Sequence, residues 1–172
     1  MKILGAILCG GRSTRFGSDK ALALVGGIAL IDHVRRCIAP QVDALLFCGR
    51  EIAGETCAPD RPHADLGPLG GINAALYHAL GHGYDAVVSL PCDTPALPPN
   101  LVARLARARP AYLEQSPVIG FWPAGLAPLL DRHIEEDPKR SMRGWAQRVQ
   151  AEAVTLETRI RNVNRPEDLP GS

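Results

Sequence analysis

Polarity along the chain alternates between short apolar runs and longer stretches with an apolar residue at every third or fourth place. Lys2–Cys9 is a compact apolar run that ends at Gly10 and Gly11. Continuous apolarity over so few residues suits a parallel strand covered on both faces. Ile28, Ile31, Val34 and Ile38 then fall at helical spacing, and Pro40 closes the stripe, so 28–39 is expected to be helical. DALLFC (43–48) reads as a second strand. Leu69, Ile72, Leu76 and Leu80 mark a helix over 69–82 that Gly83 ends, and YDAVVSL (84–90) reads as a third strand closed by Pro91. Pro98 and Pro99 suit a helix start before 101–108. Further along, the pattern predicts a strand at 115–122, helices at 125–136 and 141–150, a strand at 153–156 and a short helical turn at Pro166. Strand alternating with helix predicts an α/β fold with a mostly parallel sheet. With 172 residues and no repeat or linker, one domain over 1–172 is expected.

Composition narrows the partners. Apolar residues make up 46% and charged residues 22%, with a formal charge of +1 and no basic run. Neither nucleic acid nor a membrane surface is an expected partner. No apolar stretch approaches the ~20 residues that span a bilayer. The start, MKILGAILCGG, is broken by Gly5 and flows into a glycine-rich loop without a cleavage-type site, so it reads as a strand and the location as cytoplasmic. The five cysteines include no C-x-x-C pair, so zinc is not expected and reduced, small, partly buried thiols are.

Two stretches carry chemistry. ILCGGRSTRFGSDK (Ile7–Lys20) leaves the first strand with adjacent glycines, Arg15 and Lys20. It fits neither Walker A nor G-x-G-x-x-G. Its place at a strand's carboxyl end is still where open α/β sheets gather ligands. Glycines let backbone N–H groups approach an anion, and Arg15 and Lys20 add charge; a solvated surface turn is the plainer alternative. VVSLPCDTPALPP (Val87–Pro99) ends another strand and sets Asp93 between two prolines at the same sheet edge. Either it is a carboxylate held for a hard cation or it opens the turn before the next helix. Together the two loops suit a phosphate-plus-Mg²⁺ site.

With these stretches in view the chain resembles the molybdenum cofactor guanylyltransferases. LCGGRSTRFGSDK is similar to their L-A-G-G-x-x-x-R-M-G-x-x-K signature. Asp60 with DLGPLGGI (65–72) resembles their D…G-P-L-A-G-I segment, LPCDTPALPP their C-D-x-P metal motif, and NVNRPEDL (162–169) their closing N-V-N-T-P-E-D-L. The resemblance implies a Rossmann-like three-layer α/β/α fold of the nucleotide-diphospho-sugar transferase kind. It also implies transfer of GMP from GTP to molybdopterin or its molybdenum-bound form, with release of pyrophosphate. Carried over, Leu8, Cys9, Gly10 and Gly11 line the nucleotide and Lys20 contacts its phosphates. Asp60 helps hold the guanosine, Asp93 ligates Mg²⁺ and Arg15 sits at the reacting phosphates. Arg140, Asn162 and Asn164 match acceptor-side positions. Molybdenum-insertion proteins or apo-molybdoenzymes are the protein partners the resemblance implies.

The chain also departs from the family. Cys9 replaces an alanine, Phe16 a methionine, and Phe47 an asparagine that some members place near the nucleotide. The segment 110–119 is short, with Ser116 where the family has histidine. His63 and His133 read as surface residues, and Trp122 and Trp145 as packing residues. Three alternatives stay open: a CTP-dependent cytidylyltransferase, a transferase with another phosphate acceptor, and a non-catalytic nucleotide-binding module. Adjacent Gly10 and Gly11 favour the guanylyl reading over the first.

Overall fold

Why the apolar runs become strands covered on both faces is visible in the alternation of β1 (Ile3–Leu8). Leu4, Ala6 and Leu8 point into one apolar cluster, and Ile7 points into another on the opposite face. The computed structural model describes residues 1–10, 22–157 and 160. After β1 come β2 (Leu24–Val25), β3 (Ile28–Ala29), α1 (Leu30–Ile38), β4 (Ala44–Cys48), β5 (Cys57–Ala58) and α2 (Pro68–His82). The second half holds β6 (Ala86–Pro91), α3 (Leu101–Leu105), β7 (Ala111–Leu113), β8 (Ser116–Pro123), α4 (Ala127–Glu136), α5 (Met142–Arg148) and β9 (Glu152–Val154).

Seven of the described strands form one sheet in the order β5-β4-β1-β6-β8-β7-β9. β5, β4, β1 and β6 pair in parallel, β8 is antiparallel to both its neighbours, and β9 is parallel to β7. Six strands therefore run one way and β8 alone runs against them. Apolar residues of α2, α4 and α5 pack with Leu4, Leu46, Val87 and Trp122 on one face. Those of α1 and α3 pack with Ile7, Phe47, Val88 and Phe121 on the other. The result is the three-layer α/β/α architecture.

Differences from the sequence reading have local causes. The stretch expected to be helical from Ile28 begins with two strand residues. Gly26 and Gly27, at φ of 56° and 78°, make the two-residue turn that pairs β3 with β2. β7 was not foreseen, because three residues carry too little pattern; it forms a hairpin with β8 over Glu114 and Gln115. The helix expected over 101–108 stops at Leu105, and the prolines precede its cap at Asn100 rather than opening it. The turn expected at Pro166 lies outside the described residues. His63 is exposed, but His133 is a buried residue, only 3% exposed. Its ring packs 5.5 Å from that of Trp145, and burial lowers its pKa. Trp122 and Trp145 are fully buried packing residues, as expected.

Trp122 also dictates its neighbourhood. Its indole N–H donates to Ser89 Oγ at 2.9 Å, and that hydroxyl donates to the Val118 carbonyl. Two residues back on the same side of β8, a Cβ at Gly120 would come within 2.3 Å of the indole. Gly120→Ala is therefore expected to destabilise the protein by about 1–3 kcal/mol, the usual cost of overpacking. Urea unfolding followed by tryptophan fluorescence measures it.

Candidate active site

Three parallel strands end side by side, and their loops are laced by backbone. Cys9 N–H donates to the Cys48 carbonyl (2.8 Å), Cys92 N–H to that of Leu8 (3.3 Å), and Gly49 N–H to that of Ala58 (3.0 Å). The carboxyl ends of β1, β4 and β6 thus form one edge, as the doubly wound geometry requires.

Asp60 sits at that edge in a cradle of glycines. A Cβ at Gly10 would lie 3.4 Å from its Oδ2 and 3.4 Å from Gly49 Cα. At Gly49 a Cβ would fall 2.6 Å from Gly10 Cα, and the backbone there has φ 85°. Cβ atoms at Gly70 and Gly71 would meet the Asp60 side chain at 3.0 and 3.6 Å. Burial raises the Asp60 carboxyl above its ordinary pKa, and repulsion from Asp65 adds to this. Arg61 N–H donates to the Gly70 carbonyl (3.1 Å), and the Arg61 guanidinium lies 4.0 Å from the centre of the Tyr77 ring. Both contacts tie the chain after Asp60 to α2. Beside the cradle opens a cavity of about 290 Å³ lined by Gly49, Arg50, Glu51, Cys57, Pro59 and Asp60. Asp93 stands one strand away on the other side of β1, two residues beyond Pro91, with Thr94 Oγ1 3.5 Å from its Oδ1.

Residues 5–153 match the family described as the MobA-like NTP transferase domain. The chain belongs to that family. It is an enzyme of the nucleotidyltransferase class. The molybdenum cofactor guanylyltransferase of Rhodobacter capsulatus is 38% identical over 98% of this chain and 94% of its own. That of Rhizobium leguminosarum bv. trifolii is 36% identical over 98% and 90%. Among solved structures, molybdopterin-guanine dinucleotide biosynthesis protein A from Archaeoglobus fulgidus superposes with a TM-score of 0.76 at 21% identity, covering 96% of this chain and 94% of that one. A 4-diphosphocytidyl-2C-methyl-D-erythritol synthase gives 0.68 at 12% identity over 97% and 94%. These two likenesses are of fold.

Within this family member, Leu8, Cys9, Gly10, Asp60 and Asp93 share the edge just described. Gly11, Arg15, Lys20, Asn162 and Asn164 lie outside the described residues. Arg140 reaches the same end of the molecule by way of α4. That helix starts beside the end of α2, where Ala124 N–H donates to the Asp85 carbonyl, and crosses α2 where Asp131 accepts a 2.5 Å bond from Asn73. α4 therefore runs back toward the edge where α2 begins. Arg140 follows at φ 46°, its Nε buried without a hydrogen bond among the described residues. Phe47 is 1% exposed in the core on the α1 side. It is not among the residues that line the cavity beside Asp60. The segment 110–119 is the β7–β8 hairpin. Sequence reading missed Gly49 and the packing role of Gly70 and Gly71. The Cys-Gly-Arg after β4 and the G-P-L-G-G before Ile72 were the available signals.

Gly49→Ala should push the first loop off Asp60. A loss of about 10²-fold in kcat/KM is expected, the scale of an ångström's misplacement. Steady-state kinetics beside a circular dichroism spectrum checks it. Asp60→Asn should raise the melting temperature at neutral pH, because it removes a charge whose burial opposes folding. The sign follows from the raised pKa: the folded state holds this proton more tightly, so the wild-type penalty grows as pH rises through that pKa. The gain should vanish below about pH 3.9, where the carboxyl is protonated folded or unfolded. Thermal melts across pH read it directly.

Proposed function

We propose that the protein transfers GMP from GTP to the terminal phosphate of molybdopterin, or of its molybdenum-bound form, releasing pyrophosphate in molybdenum cofactor biosynthesis. The observation that carries this reading is the near-full-length similarity to relatives named molybdenum cofactor guanylyltransferase. The geometry supports it. A cavity beside Asp60 suits the nucleoside, and Asp93 across β1 suits the triphosphate end. In this reading the backbone of Leu8, Cys9, Gly10 and Gly11 bears on the nucleotide, and Arg15 and Lys20 carry phosphate charge. Arg140, Asn162 and Asn164 face the acceptor. Molybdenum-insertion proteins or apo-molybdoenzymes receive the product, and the reaction belongs in the cytoplasm.

The donor set fits Mg²⁺. Among the described residues no three His, Cys, Asp or Glu side chains converge. A hard cation shared between one carboxylate and substrate phosphates is the usual way Mg²⁺ is held. Asp93 would hold it, and the ion would withdraw charge from the α-phosphate and offset that of the pyrophosphate. The acceptor phosphate is already an anion, so the side chains need supply no strong base. Their work is alignment and neutralisation: Lys20 and Arg15 on the phosphates, Asp60 on the nucleoside. Among the described residues no helix is long and apolar enough to cross a membrane.

Incubation with Mg²⁺, molybdopterin and each of GTP, CTP, ATP and UTP, reading pyrophosphate, tests the proposal. Release with GTP alone is expected. Release with CTP alone would make the enzyme a cytidylyltransferase, and binding without release would make it a nucleotide-binding module. Asp93→Ala is expected to lower kcat by at least about 10²-fold, as loss of a group that fixes transition-state charge does, with the melting temperature unchanged.

A further inference from the structure

Cys9 and Cys92 occupy the two loops between which the proposed chemistry takes place. Leu8 and Pro91 are register partners of parallel β1 and β6, so Cys9 and Cys92 are the next pair along. The Cys92 N–H bond to the Leu8 carbonyl keeps that register past the strand ends. Alternation sends both side chains to the face of Ile7 and Leu90, and both thiols pack against that cluster. Neighbouring strands run about 4.8 Å apart. That spacing lies within the Cα separations a disulfide spans.

The two sulfurs already interact. The Cys9 S–H has two acceptors in reach, the Ile7 carbonyl at 3.4 Å and the Cys92 sulfur. The bond to Cys92, and then burial, hold the proton on Cys9 far above the ordinary thiol range, with Arg50 opposing. The other cysteines are engaged elsewhere. The Cys37 thiol donates to the Pro95 carbonyl, Cys57 lies against Ile52 and Glu55, and Cys48 is fully buried. All five are unoxidised in the structure.

We propose that Cys9 and Cys92 are a redox modification site, forming a reversible disulfide that shuts off nucleotide binding. The oxidant class is a peroxide. The Cys92 sulfur attacks one peroxide oxygen and gives up its proton, the O–O bond breaks, and a sulfenic acid and water result. The Cys9 sulfur then attacks the Cys92 sulfur, the S–O bond breaks, and a second water leaves with the Cys9 proton. The two thiols lose two electrons and two protons, and the peroxide becomes two waters. The covalent bond locks the ends of β1 and β6 at a fixed disulfide geometry in place of an adjustable thiol contact. Gly10 and Asp93, each one residue further on, are then tied to each other through that bond and can no longer adjust separately around a nucleotide. The consequence for binding rests on the nucleotide site proposed above.

The test treats the full chain with hydrogen peroxide, then maps peptides without reduction. A Cys9–Cys92 linked peptide is expected, together with loss of the nucleotide-induced thermal shift and a drop of at least about tenfold in transfer, since small misplacements carry such costs. Dithiothreitol should restore both. Cys37→Ala should respond like the wild type. Cys92→Ala should give no linked peptide and retain, after peroxide, the nucleotide shift it has when reduced. Absence of the linked peptide in the wild type overturns the proposal. So does a linked protein whose nucleotide shift is unchanged. The peptide map needs neither GTP nor molybdopterin, so failure of the proposed reaction in reduced protein is read separately.

Discussion

The backbones of Gly10 and Gly49 lie too close together at the site for a side chain at Gly49, and the rest of the edge depends on that approach. No side chain fits at Gly49, where a Cβ would fall 2.6 Å from Gly10 Cα. Its left-handed φ of 85° excludes most residues independently. With both side chains missing, the loops after β1 and β4 close onto each other, and the Asp60 carboxylate takes up the space left. Gly70 and Gly71 let the first turn of α2 approach from the third side. Four residues without side chains are thus arranged around one carboxylate. They cost backbone entropy on folding, and in return the surrounding backbone comes within reach of a ligand.

Such an arrangement needs a rigid surround, and α2 supplies it. Leu69–Leu76 and Ala79 of this helix are buried, and its apolar side chains pack with those of the sheet and α4. Asn73 and Tyr77 both donate hydrogen bonds to the Asp131 carboxylate on α4. The Arg61 guanidinium over the Tyr77 ring then links that brace to the residue after Asp60. Polar groups at a helix–helix contact fix a register that apolar packing alone leaves loose. Here the register sets where α2 starts, and therefore where Gly70 and Gly71 meet Asp60. On the other side of the same helix pair, His133 and the two tryptophans fill the space beneath α5.

Much of this is legible in the sequence. The apolar run at Lys2–Cys9, with YDAVVSL and DALLFC, placed three central strands within two residues of their observed limits. Asp60 and Asp93 were assigned from motifs and do share an edge with Gly10. Phe47 stands where some family members place an asparagine near the nucleotide, and here it is core, turned toward α1 by the strand alternation. His133 read as a surface residue, yet it is buried, because the partner that covers it, Trp145, lies on a separate helix. For His133 the difference comes from a contact distant along the chain.

The sequence by itself determined the class of fold and the family. Apolar periodicity is a local property, and so is the placing of glycines and charges at strand ends. Tertiary structure alone decided three further features: the reversal of β8, the closure of Gly49 on Gly10, and the pairing of Cys9 with Cys92. Each depends on which strands become neighbours in the sheet. Neighbours are chosen by the burial of both faces at once, a sum over the whole chain that no single segment encodes.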